Sequence, residues 1–142
     1  MVFTPAGTYV EELSTILNII IVFRRAGVAL GKKVLICGAG PIGLVNLLTA
    51  KAMGASEIVI TDLADNRLEM ARTMGATHTY KVGGGKTAEQ MAEEVAELLG
   101  GDRPDVTIEC SGAEPSIRWY CSSTLIPSHT IAAWIIEIAL DF

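Results

Sequence analysis

The chain has 142 residues, half of them apolar, and its 11 basic and 16 acidic side chains give a net charge of −5. One domain with a core of ordinary size is expected from that length, and nucleic acid is excluded as an expected partner because no positive field exists to gather phosphate backbones. Three cysteines, Cys37, Cys110 and Cys121, stand far apart without a C-x-x-C pair, and only two histidines, His78 and His129, accompany them, so no metal site and a reducing, cytoplasmic setting are expected.

The start, "MVFTPAGTYVEEL", lacks a basic region followed by an apolar stretch, and the apolar run "IIIVF" at 19–23 is far too short to span a bilayer. Neither export nor a membrane is expected. "KVLIC" (33–37) is short, rich in Val, Leu and Ile and stops at Gly38, the pattern of a strand buried on both faces. "PIGLVNLLTAKAM" (41–53) then repeats apolar residues at helical spacing, with Pro41 suited to the first turn and Gly54 to a left-handed C-terminal cap. "EIVITD" (57–62) reads as the second strand, "NRLEMARTM" (66–74) as the second helix and "HTYKV" (78–82) as a third, weaker strand. "MGA" at 53–55 and again at 74–76 closes a helix and opens a strand each time, which marks two copies of one supersecondary unit. "KTAEQMAEEVAELLG" (86–100) places Met91, Val95 and Leu98 on one helical face and Glu93, Glu94 and Glu97 toward water, and "DVTIEC" (105–110) follows as a fourth strand. Strands alternating with helices in this way predict an α/β fold, a doubly wound parallel sheet of the Rossmann type with helices on both faces.

In that setting the glycines of "GAGPIG" have separate physical roles. Gly38 permits the tight turn out of the strand, Gly40 lets backbone approach a pyrophosphate with no Cβ in the way, and Gly43 lets the helix pack close to the sheet. The N–H groups that follow Pro41, with the positive end of the helix dipole, would receive the anion. Asp62 ends the second strand nineteen residues after Gly43, near the spacing at which an acid reaches the adenosine ribose hydroxyls. A carboxylate there accepts from the 2′-OH and 3′-OH of NAD and repels the 2′-phosphate of NADP. Arg67, five positions on, fits either a solvated helix residue or one reaching back to the adenosine end of a cofactor. "GGGKT" (83–87) imitates the tail of a phosphate-binding P-loop, but that spacing needs glycine five positions before Gly85, where Tyr80 stands, so a surface turn is expected. His78 reads as a strand residue and Cys37 as a small buried apolar one.

The joined run "RRAGVALGKKVLICGAGPIGLVNLLTAKAMGASEIVITDLADNRLEMARTMGATH" with "DVTIECSGAEPSIR" resembles the coenzyme domain of the sorbitol dehydrogenase family, zinc-dependent polyol dehydrogenases of the medium-chain superfamily. The likeness runs from Arg24 to Arg118, about two thirds of the chain. It implies NAD held at the glycine turn, with Ile42 near the pyrophosphate, Asp62 and Arg67 at the adenosine ribose, and Cys110, Ser111 and Gly112 facing the cofactor crevice. It also implies reversible oxidation of a polyol such as sorbitol to a ketose by hydride transfer to NAD, with zinc polarising the substrate hydroxyl, and it leaves an oligomer open.

The family's zinc ligands lie in a catalytic domain ahead of the coenzyme domain, whereas no cysteine or histidine precedes the first strand here. "EELS" (11–14) resembles the family's junction between its two domains, but "TILNIIIVF" then departs from it, so Glu11 receives no catalytic role. After Arg118 the family adds two further strands; here "WYCSSTLIPSHTIAAWIIEIALDF" reads as helix or strand alike, with Trp119 and Trp134 as packing residues. The expected organisation is a divergent, part-helical segment at 1–23, an NAD-binding domain at 24–118 with a truncated sheet of about four strands, and a divergent apolar segment at 119–142. Two functional readings remain: an NAD- and zinc-dependent polyol dehydrogenase by descent, of which this chain holds the coenzyme-binding part, or a non-catalytic NAD-binding or partner-binding fragment, arising as a truncated isoform or a faulty gene model. Neither assigns a catalytic residue or a metal ligand to this chain.

Overall fold

The computed structural model describes residues 19–21, 23, 24 and 26–112. Residues 19–21, 23 and 24 are helical, and then strand and helix alternate: β1 (Lys33–Cys37), α1 (Pro41–Ala52), β2 (Glu57–Asp62), α2 (Asp65–Met74), β3 (His78–Lys81), α3 (Ala88–Leu98) and β4 (Val106–Glu109). Every strand and helix expected between residues 33 and 110 is present, with ends displaced by a residue or two. Glu11, Trp119, Trp134, Cys121, His129 and the segment 119–142 lie outside the described residues.

The four strands run parallel in the order β3-β2-β1-β4. Alternate strand residues divide the core between two faces. Val34, Ile36, Ile58, Ile60, Val106 and Ile108 pack with Leu47 and Ala50 of α1, Leu68 and Ala71 of α2, and Ile19 and Phe23 of the entering segment. Leu35, Cys37, Val59 and Tyr80 pack on the other face with Val95 and Leu99 from α3 and its end. The sheet is thus doubly wound, because the crossovers through α1 and α2 lie on one face and the one through α3 on the other.

Helix ends follow local chemistry. α3 starts at Ala88, two residues inside the expected start, because the Thr87 hydroxyl accepts from the Gln90 N–H while the Gln90 side chain accepts from the Thr87 N–H. α2 stops where Gly75 takes a φ of 104°. The amino-terminal edge of the sheet is tied by charge. Asp105 accepts from the Lys33 N–H at 2.8 Å and from Lys32 Nζ at 3.1 Å, and Lys33 Nζ reaches Asp102 at 2.9 Å and Glu57 at 3.2 Å. His78 sits on β3 with Nε2 3.4 Å from Glu57, a strand residue as expected. Among the described residues no helix is long and apolar enough to cross a membrane.

Candidate functional site

The chain moves outward from β1 to β2 to β3, then crosses back through α3 to lay β4 on the other side of β1. The strand order therefore reverses between β1 and β4, and the place beyond the carboxyl ends of those two strands is where sheets of this kind form a crevice and receive ligands. The structure brings Gly38, Gly40, Pro41, Ile42 and Gly43 to one side of that crevice and Cys110, Ser111 and Gly112 to the other.

Gly38 leaves β1 at a φ of 101°, and a Cβ there would stand 2.9 Å from the Ser111 nitrogen and 3.0 Å from the Cys110 carbonyl carbon. A Cβ at Gly43 would fall inside the van der Waals radius of the Gly38 carbonyl oxygen. Gly40 is different, for among the described residues nothing lies within 4 Å of where its Cβ would be, and its φ of −73° is open to any residue. Its bareness therefore leaves empty space directly at the start of α1. Pro41 occupies the first helical position, and no side chain caps this end, so the Ile42 and Gly43 amides point toward that space with the positive end of the helix dipole behind them.

Asp62 closes the same corner from β2. It is buried, its Oδ2 accepting from the Ala39 N–H at 2.9 Å and its Oδ1 from the Ala64 N–H at 2.9 Å. Arg67 reaches back from α2 to stand 3.7 Å from Oδ2 while remaining largely exposed. Burial works against the carboxylate, but the Ala64 and Ala39 N–H groups and the Arg67 guanidinium outweigh it and hold Asp62 below its ordinary value. Each oxygen keeps lone-pair capacity for a ligand hydroxyl.

The glycine-rich imitation of a P-loop is settled by its own contacts. Lys86 is paired with Glu94 at 2.6 Å and lies over the Tyr80 ring, while Thr87 and Gln90 occupy the start of α3. The turn's cation and its helix end are both engaged within the chain.

Sequence reasoning missed Glu109. "DVTIE" alternates apolar and polar residues as a strand does with one wet face, yet Thr107 and Glu109 are each only 1% exposed. Glu109 Oε1 accepts from the Ser111 N–H at 2.6 Å and the Ser111 hydroxyl at 2.5 Å. Its Oε2 has no hydrogen-bond partner among the described residues, and the Cys37 thiol lies close to the carboxyl. Burial pushes Glu109 above the usual carboxylate range, against the opposing pull of Ser111, the Gly112 N–H and Cys37. Burial likewise pushes the Cys110 thiol to about 12 and raises Cys37, so neither is a nucleophile at neutral pH. Asn46 was missed too: buried in α1, it donates to the Ile42 carbonyl at 2.8 Å and lies 3.4 Å from Cys110 Sγ.

These carboxyls give opposite pH slopes. Asp62 and Asp105, both held low, contribute stability present above their unfolded values, about 3.9, and lost as pH falls through the folded values. Glu109, held high, contributes stability present below its unfolded value, about 4.3, and lost as pH rises through its folded value. Urea midpoints across the acid and neutral range should therefore rise and then decline, and Glu109→Gln should abolish the decline while leaving the acid limb. A variant that keeps the decline would assign it to another group.

A helix-flanked parallel sheet with a glycine corner, an uncapped helix start and a buried acid one strand away is the layout of a Rossmann-type domain. The chain belongs to the zinc-binding dehydrogenase family, whose pattern it matches over residues 41–124. It is 51% identical over 112 residues to sorbitol dehydrogenase of Ovis aries, an alignment spanning 79% of this chain and 30% of that protein. Among solved structures it is similar to zinc-dependent alcohol dehydrogenase 2 from Streptococcus pneumonia, with a TM-score of 0.68 and 30% identity over 84% of this chain and 33% of that one. Galactitol-1-phosphate dehydrogenase from Escherichia coli superposes with a TM-score of 0.68 at 26% identity, over 85% of this chain and 33% of that one. The chain spans about a third of the length of these relatives, and over that stretch it is sorbitol dehydrogenase-like.

Zinc does not fit the described residues, among which no group of three or more histidine, cysteine or acidic side chains converges. A dinucleotide does fit: the space that the described residues leave at Gly40 faces uncapped amides, and a carboxylate with spare acceptor capacity ends the neighbouring strand, bonded to the Ala39 N–H of the same corner.

Proposed function

We propose that residues 24–118 form the NAD-binding part of a cytoplasmic polyol dehydrogenase, and that the polypeptide by itself binds NAD without carrying out the oxidation. The space at Gly40 before the uncapped start of α1 is the observation that carries this reading. The Ile42 and Gly43 amides hold the pyrophosphate, Asp62 accepts from the adenosine ribose hydroxyls, and Arg67 covers that end from α2. The Cys110–Ser111–Gly112 turn bounds the crevice on the side toward the nicotinamide. NAD, when bound, supplies the hydride acceptor, and the sorbitol and galactitol-phosphate dehydrogenases among its relatives favour a polyol as the donor. With no metal-ligating cluster among the described residues, the share read for them is to hold and orient the cofactor, and neither the zinc nor the substrate pocket is assigned to them. The acidic balance supports neither nucleic acid nor an anionic surface as a partner.

Thermal unfolding with and without NAD tests the binding step. A cooperative transition that rises with ligand is expected, corresponding to about 2.7 kcal/mol at a hundredfold excess over the dissociation constant. A transition that ignores millimolar NAD overturns the reading.

A further inference from the structure

We propose that Glu109 is a positioning residue: from beneath the crevice, its buried carboxyl fixes the Cys110–Ser111–Gly112 turn against the glycine corner, and so sets dinucleotide affinity without touching the ligand. The inference rests on the NAD reading and goes beyond it, because Glu109 faces the interior and belongs to neither wall of the crevice.

Glu109 is paired in register with Cys37, the last residue of β1, and the Cys110 N–H donates to the Cys37 carbonyl at 2.8 Å, so β1 and β4 stay locked up to the point where their loops part. Beyond it, the Glu109 carboxyl holds the turn from below: the Ser111 N–H and hydroxyl both donate to Oε1, and the Gly112 N–H also acts on the carboxyl. The Ser111 nitrogen held there is the atom that a Cβ on Gly38 would strike at 2.9 Å. Gly38 in turn supplies the carbonyl against which Gly43 packs. One continuous set of close contacts therefore runs from Glu109 through Ser111 and Gly38 to the start of α1. A displacement of Ser111 of a few tenths of an ångström moves the corner where the pyrophosphate is held.

The residue type is informative. Glutamate is rarely buried so completely, and an orphaned carboxyl oxygen costs stability. An apolar residue would pack β4 at less cost, so the carboxyl is explained by what Oε1 holds. The titratable groups facing it are the Cys37 thiol from β1 and the neighbouring Cys110 thiol.

Two variants of the full chain separate positioning from structure. Glu109→Met removes both the acceptor and the orphaned oxygen while keeping length and bulk. It should melt at or above the parent, because exposed Ser111 can turn to water, yet bind NAD about tenfold more weakly. Glu109→Gln keeps an acceptor at Oε1 and should bind NAD within about threefold of the parent. Amide exchange in the absence of NAD should show Ser111 deprotected in the Met variant and protected in the Gln variant. Parent-like NAD affinity in the Met variant overturns the proposal, as does a Gln variant weakened as much as Met, which would make charge the active property. A parent chain that binds no NAD overturns the dinucleotide reading itself, and Ser111 exchange then decides whether Glu109 fixes the turn.

Discussion

Gly43→Ala is expected to lower stability by about 3 kcal/mol, the upper part of the range for overpacking a closed interior. The added Cβ meets the Gly38 carbonyl oxygen, which is backbone at the end of a central strand and cannot swing aside as a flexible side chain would. Relief requires α1 to lift from β1, which loosens Leu47 and Ala50 from Ile36 and its neighbours in the same cluster. Gly40→Ala, three residues away, is the control. Its Cβ enters open space at an ordinary φ, so stability should stay within about 1 kcal/mol while NAD binding falls. Chemical unfolding of the two variants beside NAD titration measures both effects. A Gly43→Ala protein with the parent midpoint would show that the helix does not sit so close to the strand.

The parent is expected to prefer NAD to NADP by more than about a hundredfold, and Asp62→Ser to reduce that preference below about tenfold. Hydrogen bonds to a charged acceptor contribute roughly 1.5–3 kcal/mol each, and Asp62 offers two oxygens held ionised by the Ala39 and Ala64 N–H groups and by Arg67. The same charge repels a 2′-phosphate. Removing it weakens NAD, and it leaves Arg67 without its carboxylate 3.7 Å away and available to a phosphate, so NADP affinity should rise. Calorimetric titration of both nucleotides into both proteins gives the ratio. Equal or tighter NADP binding by the parent would remove Asp62 from its assigned place.

The fold was legible because its signals are local and repeated. Short Val/Ile/Leu runs, each closed by a glycine or an acid and followed by a helical period, fix a parallel sheet, and the glycine spacing fixes which strand comes first. Asp62 and Gly43 were legible for the same reason, since one supersecondary unit relates them. Glu109 was not, because the alternation of Val106, Thr107, Ile108 and Glu109 looks the same whether the polar side meets water or a protein interior, and here both polar residues are buried. The start of α3 was misplaced by two residues because the reciprocal Thr87–Gln90 bonds outrank the helical period of the flanking lysine and threonine. Arg67 was balanced between solvent and site, and the turn of α2 that aims it at Asp62 is a consequence of three-dimensional packing.

Asp62 also ties the Ala39 N–H, and with it the corner that carries Gly38 and Gly40. In the proposed NAD site, cofactor choice and the architecture of the phosphate cradle are therefore inherited together at one codon. A lineage or a designer seeking the phosphorylated nucleotide has to surrender the charge and still retain an acceptor for that amide, which leaves serine, threonine and asparagine as admissible first steps and makes alanine, leucine and lysine dead ends until the corner gains a second tie.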